Sequence, residues 1–321
     1  MIEVSRRDLV VGAAAAAAVF GIPGHLAFIG AAEARALPEP GKGFHKMKAG
    51  DAELITIYDG IWQKKHDEGF IKGATVEQTK AALKAGGLTD AHIPITFTVP
   101  IVKIGGKTIM FDAGTGAQLA PTAGLLAGNL AAAGIDPAKI DMIVITHFHP
   151  DHIFGLMAKG TNAQIYPNAE IVVPAAEFAW WTDEGNTNKL PKNRQGLAKR
   201  IQATIGQWKN VRQLEGGKDV VAGVTAINAF GHTPGHTSYA VGSGSSQVMI
   251  LADTANVPAL FVKNPGWHAA FDMNAAQAEA TRRKLFGQAV AEKATVAGYH
   301  FGFPGAGTLQ KDGNGFAFVP A

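Results

Sequence analysis

The sequence predicts an α/β protein folded as one domain. Three observations predict it. Short β-branched apolar runs alternate with helical patterns along the chain. No internal repeat or interdomain linker interrupts them, and 321 residues suffice to bury one large core. Hydrophobic residues make up 47% and charged residues 17%, the balance of a soluble globular protein carrying an apolar leader. Net charge is +3 and dispersed. The densest basic stretch, Lys189 to Arg200, is mixed with Pro, Leu and Gly, so the clustered footprint of a nucleic-acid binder is missing. There is no cysteine, which excludes disulfides, thiol nucleophiles and thiolate-held zinc. Any metal must be held by nitrogen and oxygen.

In chain order, Ser5-Arg6-Arg7-Asp8-Leu9 and the Ala-rich run to Phe20 have the form of a twin-arginine leader. Gly21, Pro23 and His25 break the run before a spanning helix can form. Small-x-small cleavage sites stand at Ala32-Glu-Ala34 and Ala34-Arg-Ala36. The expectation is a signal peptide over 1–36, a folded domain over 37–321 and a periplasmic or secreted protein. A strand from Glu53 to Tyr58 opens the folded part, followed by a helix from Val76 to Ala85. Ile93 to Ile104 and Lys107 to Phe111 flank Gly105-Gly106 as a hairpin. Asp112-Ala-Gly-Thr-Gly116 is a Gly-rich loop without the spacing of a phosphate loop, in which Asp112 caps a turn. Pro121 to Ala133 reads as a helix with Pro in its first turn, and Ile140 to Ile145 as a buried strand.

Strands are expected at Glu170 to Val173, Val224 to Ala229, Tyr239 to Val241 and Val248 to Leu251, with a last one at Thr295 to Ala297. Asn186 to Gln195 reads as polar and irregular, with a helix following to Ile205. Asn274-Ala-Ala-Gln277 opens a long helix to Glu292.

The chemistry concentrates at strand ends. Thr146-His147-Phe148-His149-Pro150-Asp151-His152 packs three imidazoles and a carboxylate into the loop after the strand ending at Ile145. His147 and His149, two apart, can point the same way in extended chain, while Asp151 and His152 start a turn toward a second position. His232 with His236, Asp253, and His300 share the same placement after predicted strands. His25, His45, His66, His92 and His268 lack it and read as ordinary.

Taken in order, His147-x-His149-x-Asp151-His152, Gly231-His-Thr-Pro-Gly-His236, Leu251-Ala-Asp253 and Gly298-Tyr-His300 resemble the motifs of the metallo-β-lactamase-fold hydrolases, from about Leu54 onward. The resemblance implies an αββα four-layer sandwich, two mixed β-sheets face to face with helices on the outer faces and ligands at one edge. It implies two divalent metal ions. Zinc is the default for nitrogen and oxygen ligands, and manganese, iron and cobalt also fit such a set. It assigns His147, His149 and His236 to the first metal, Asp151, His152 and His300 to the second, and Asp253 as the bridge. Spacing leaves His232 and His236 open; His236 is chosen on the resemblance alone. Asp151 and His152 are also the candidate catalytic pair. Two cations sharing Asp253 can share a water and lower its pKa, so that hydroxide attacks a carbonyl or phosphoryl centre. No Gly-x-Ser-x-Gly elbow offers another nucleophile. Asp112 is the candidate acceptor orienting a ligand imidazole.

Within that family, Asp253 argues against the class B3 β-lactamases, and the lack of cysteine against classes B1 and B2. Too few residues follow His300 for the helical domain of glyoxalase II, and His149 stands where flavodiiron proteins place Glu. The lactonase and methyl parathion hydrolase branch is most similar, through Tyr299-His-Phe-x-Phe-Pro-Gly305. The expected substrate is then a small lactone, aryl ester or phosphotriester, with no nucleic acid, no membrane once the leader is cleaved, and a homodimer left open. A β-lactamase-like amidase and a metal-binding protein without turnover are the alternatives. Two departures stand out. Asn256 takes the place of a tyrosine common in lactonases, and Phe154 that of a glycine, which is expected to narrow the pocket. Trp180, Trp181, Phe148, Phe301 and Phe303 are candidates for an aromatic wall, with core packing as the alternative for each.

Overall fold

The computed structural model describes residues 43–321, so the leader expected over 1–36 lies outside the described residues. Among the described residues no helix is long and apolar enough to cross a membrane. The chain begins with β1 (Phe44–Ala49), β2 (Ala52–Lys64), the two-residue β3 (Ile71–Lys72) and α1 (Val76–Ala85). Thr75 and Gln78 exchange side-chain and backbone hydrogen bonds at the start of α1, a full capping box. The hairpin of β4 (Ile93–Ile104) and β5 (Lys107–Phe111) turns on Gly105 and Gly106 at φ 56° and 75°, which a two-residue turn of this twist requires. Then follow α2 (Leu126–Ala132), β6 (Met142–Val144), α3 (Pro150–Ile153), β7 (Glu170–Pro174), α4 (Ala175–Thr182), α5 (Glu184–Lys189), α6 (Lys192–Ala203), β8 (Val211–Leu214) and β9 (Asp219–Val221). The chain continues through β10 (Val224–Asn228), β11 (Thr237–Val241), β12 (Val248–Ile250), α7 (Pro258–Phe261), β13 (His268–Ala269), α8 (Ala275–Glu292), β14 (Thr295–Ala297), β15 (Ala306–Asp312) and β16 (Gly315–Pro320).

Two seven-stranded sheets form, ordered β1-β2-β4-β5-β6-β7-β8 and β16-β15-β14-β12-β11-β10-β9. Both are mixed: β5 to β8 run parallel, as do β12 and β14, while the remaining pairs are antiparallel. Ile109, Phe111, Val144 and Val172 of the first sheet meet Val224, Tyr239, Val248 and Ile250 of the second in one buried cluster. Their alternate neighbours Met110, Ile143 and Ile171 face the other way, into the larger core shared with the helices. Burial on both faces is why these strands read as unbroken apolar runs. The architecture is the αββα sandwich the sequence implied.

Several expectations need correction. β2 continues past Tyr58 to Lys64 through an irregularity at Tyr58/Gly60. The helix expected from Pro121 starts only at Leu126. Asp59 takes the N–H groups of Gly124 and Leu125 on its backbone oxygen and that of Leu126 on its carboxylate at 2.9 Å, holding 122–125 against β2 as a loop. The stretch expected to be irregular, Asn186 to Gln195, instead carries α5 and the first turn of α6. The strand at Thr295–Ala297 is not the last, because β15 and β16 close the second sheet. The edge position of this hairpin lets polar residues such as Gln310 and Lys311 stand exposed, so its hydrophobic signal is weak.

Candidate metal centre

The parallel strands place the chemistry. β5 and β6 in one sheet end at Asp112 and the Thr146–His152 loop; β12 and β14 in the other end at Asp253 and Tyr299-His300. The tip of the β10–β11 hairpin adds His232. Bonds across the sheets fix this edge. Thr237 N–H donates to Thr146 O at 3.0 Å, Tyr239 Oη to Ile145 O at 2.8 Å, and Tyr299 Oη to Asp151 O at 2.6 Å.

Two groups of donor atoms result. His147, His149, His232 and Asp253 form one, and Asp151, His152 and His300 the other, with the ligand atoms of each group within 4.8 Å of one another. In the first, His149 Nδ1 lies 3.0 Å from His147 Nε2 and 2.9 Å from His232 Nε2. The outer nitrogens of His147 and His232 already have partners, Thr146 Oγ1 at 3.0 Å and Asp272 Oδ1 at 2.9 Å. In the second, His152 Nδ1 meets Asp112 Oδ2 at 2.7 Å and His300 Nδ1 meets Thr96 O at 2.7 Å, which turns both Nε2 atoms inward. Asp253 spans the groups: Oδ1 lies 3.2 Å from His152 Nε2 and 3.1 Å from His300 Nε2, and Oδ2 lies 3.2 Å from His232 Nε2.

These residues fit two divalent cations. His152 Nε2 and Asp253 Oδ1 lie 3.2 Å apart yet neither makes a hydrogen bond of proper geometry among the described residues, which a buried site tolerates where something else satisfies them. Lone pairs converge inward while the outward nitrogens are held by acceptors, the arrangement that orients metal-ligating histidines. The electrostatics agree. Burial, with neighbouring imidazoles, holds His147 and His149 well below 6.5 and so neutral. Burial opposes charge on His152 too, but Asp151, Asp112 and Asp253 outweigh it and raise its pKa well above 6.5. His300 is raised to about 9 against the same penalty, chiefly by Asp253. The carboxylates therefore call for positive charge in their midst.

Of the residues expected from the sequence, His147, His149, Asp151, His152, Asp253 and His300 come together, and His236 does not join them. His236 Nδ1 faces Ala229 O at 3.1 Å, and its Nε2 accepts the backbone N–H of Asp253 at 3.1 Å. Both nitrogens are used, so it braces the backbone of Asp253. His232 falls in the first group of donor atoms instead. The physical reason is that His236 extends the β10–β11 ladder, its carbonyl accepting Ala229 N–H at 2.9 Å, whereas His232 lies beyond the ladder at the loop tip. Asp112 makes the expected contact to a ligand imidazole, from a backbone at φ 63°.

Composition and spacing did not single out Glu177, Asp272 or Arg282. Glu177 is wholly buried. Its Oε1 accepts from Phe148 N–H (2.9 Å) and Trp181 Nε1 (2.7 Å), and its Oε2 from Thr233 Oγ1 (2.7 Å) and Gly235 N–H (2.8 Å). It thereby joins the loops bearing His147, His149 and His232. Asp272 pairs with buried Arg282, which also bonds the carbonyls of Thr254, Pro265 and Trp267.

Beside the cluster opens a pocket lined by His149, Asp151, Asp253 and His300, by Asn256 and Arg194, and by apolar side chains. Of the expected aromatic wall only Trp181 lines it; Trp62, Phe97 and Phe271 complete the aromatic lining. Phe148 is wholly buried, Phe301 packs on Phe318, and Phe303 on Tyr58. Phe154 does not narrow the pocket, being buried beneath the Arg200 guanidinium.

Residues 98–300 match the model of the metallo-beta-lactamase superfamily. Among solved structures, the chain is similar to the hydrolase AbOPH of the beta-lactamase superfamily, 26% identical with a TM-score of 0.80, covering 87% of this chain and 97% of that one. It is also similar to AidC, a dizinc quorum-quenching lactonase, 27% identical with a TM-score of 0.77 over the same shares. An N-acyl homoserine lactonase from Bacillus sp is 28% identical over 151 residues, 47% of this chain and 52% of the relative, so the alignment spans about half of that protein. The family match contains all four ligand-bearing strand ends found at the sandwich edge, and the chain belongs to the metallo-beta-lactamase superfamily.

Proposed function

We propose that the chain is an exported dinuclear-metal hydrolase of ester-type substrates that are neutral at the reacting centre: lactones, aryl esters or phosphotriesters. One observation carries the reading. Asp253 offers an oxygen to each half of a buried His/Asp cluster whose accessible side meets an apolar pocket. His147, His149 and His232 would hold one cation, Asp151, His152 and His300 the other, with Asp253 between them. Divalent cations held there, zinc by default, supply Lewis-acid polarisation of a carbonyl or phosphoryl oxygen and lower the pKa of a water.

The chain's own residues do the rest. Asp112, Asp272 and Thr96 accept from the outer nitrogens of His152, His232 and His300 and so hold their inner lone pairs toward the centre. Trp62, Ile95, Phe97, Trp181, Leu197 and Phe271 supply apolar walls that exclude water and seat an acyl or aryl body. The similarity to a dizinc lactonase and to an N-acyl homoserine lactonase supports lactones within this range. Export rests on the Arg6-Arg7 leader alone; continued export of an Arg6→Lys, Arg7→Lys variant would remove that part.

The test is a panel of lactones, aryl esters, phosphotriesters and nitrocefin, assayed on protein reconstituted with zinc, manganese and cobalt. Turnover of an ester-type member above the metal-free background supports the reading. Nitrocefin turnover exceeding all the others would replace it with an amidase.

A further inference from the structure

α6 brings one cation to this pocket. Arg194 lines it beside Trp181, Leu197 and Asn256. Its guanidinium makes no hydrogen bond or ion pair among the described residues, and burial alone perturbs it. The other buried or partly buried arginines, Arg282, Arg200 and Arg212, are all engaged. Arg282 binds Asp272 and three carbonyls. Arg200 binds Asn162 and Gln118, and Arg212 binds Glu170. A partly buried guanidinium with five donors and no protein acceptor beside an apolar pocket is open to an oxygen anion brought by a ligand.

We infer that Arg194 is a specificity-determining residue that receives an oxygen anion, a carboxylate in the simplest case, carried by the substrate away from its scissile bond. The inference rests on the ester-hydrolase reading and narrows its substrate class. The planar fork of a guanidinium matches a carboxylate in two parallel hydrogen bonds, and the low dielectric of an apolar pocket strengthens the pair. The favoured substrate is then amphipathic: a hydrocarbon or aryl body against Trp62, Phe97 and Phe271, the ester or lactone at the cluster, and an anionic end at Arg194. A purely apolar ester leaves the guanidinium desolvated and unpaired, so the same residue selects against it.

The kinetic test compares 4-carboxyphenyl acetate with its carboxamide isostere, on wild-type protein and on Arg194→Met and Arg194→Lys, all metal-loaded. Wild type is expected to prefer the carboxylate by about tenfold or more in kcat/KM, through KM. Arg194→Met should bring the ratio near one, and Arg194→Lys should keep part of it. An unchanged ratio in Arg194→Met overturns the inference. Calorimetric binding of benzoate against benzamide decides the matter even if no ester is turned over. A carboxylate held only by the metals binds wild type and Arg194→Met alike, which refutes the inference. Loss of about tenfold in Arg194→Met alone supports it. Because Arg194 has no intramolecular partner, the variant's thermal midpoint should not fall; a marked fall would show a structural role and likewise count against the proposal.

Discussion

Replacing Glu177 with Gln tests whether one buried carboxylate holds two ligand loops together. The wild-type carboxylate accepts four hydrogen bonds, from Phe148 N–H, Trp181 Nε1, Thr233 Oγ1 and Gly235 N–H. Phe148 sits between His147 and His149, and Thr233 follows His232. An amide keeps one accepting oxygen and puts an NH2 in place of the other. Turned toward Phe148 and Trp181, that NH2 faces two groups that can only donate. Turned toward Thr233 and Gly235, it faces one hydroxyl that can reverse its role and one N–H that cannot. The second arrangement wins, leaving one buried donor opposed by another, at a cost of ~1–3 kcal/mol. That is a sizeable share of the ~5–15 kcal/mol that holds a domain folded. Urea unfolding of the metal-free variant measures it directly, and chelator competition should show weaker binding at the His147, His149, His232 group. A metal-free Glu177→Gln protein as stable as wild type, with unchanged metal affinity, would refute the reasoning.

His232→Ala should remove metal from one site, whereas His236→Ala, which loses the brace on the Asp253 backbone, should lower metal-free stability with less direct loss of metal; equal metal loss in both would contradict the assignment. Asp112→Asn should weaken metal binding by about ten- to hundredfold, because the acceptor that orients His152 is altered, read by chelator competition. For Asp272, burial raises the carboxyl pKa but His232 and Arg282 outweigh it, so the group titrates below its ordinary value of 3.8. Its stabilising contribution is therefore complete above that value and lost as pH falls through the lower, folded one. The acid limb of metal-free unfolding below about pH 4 should be flatter in Asp272→Asn, and an identical limb would count against the ion pair.

The clustering of strand-end histidines and aspartates was legible because neighbours in sequence make half of it: four of the candidate donors lie within His147 to His152, and each remaining strand end carries one. Strands buried on both faces were legible for the same local reason. What sequence reasoning missed is long-range. Glu177 meets Gly235 across 58 residues and Arg282 meets Thr254 across 28, pairings that no local pattern encodes. That His232 rather than His236 joins the donor group depends on how far the β10–β11 ladder runs. Two histidines four apart look alike until the last paired residue is known. Pro121 failed as a helix start because Asp59, a strand residue, claims the backbone that a first turn would need.

Asp253 would stand between two metal ions, one held by each half of the cluster. Metal content by mass spectrometry on protein purified without chelators tests it most directly, with Asp253→Asn alongside. Two divalent ions per wild-type chain are expected, with a loss from both positions in Asp253→Asn, since one oxygen faces each half. Fewer than one ion per wild-type chain, or full occupancy in the variant, would contradict it.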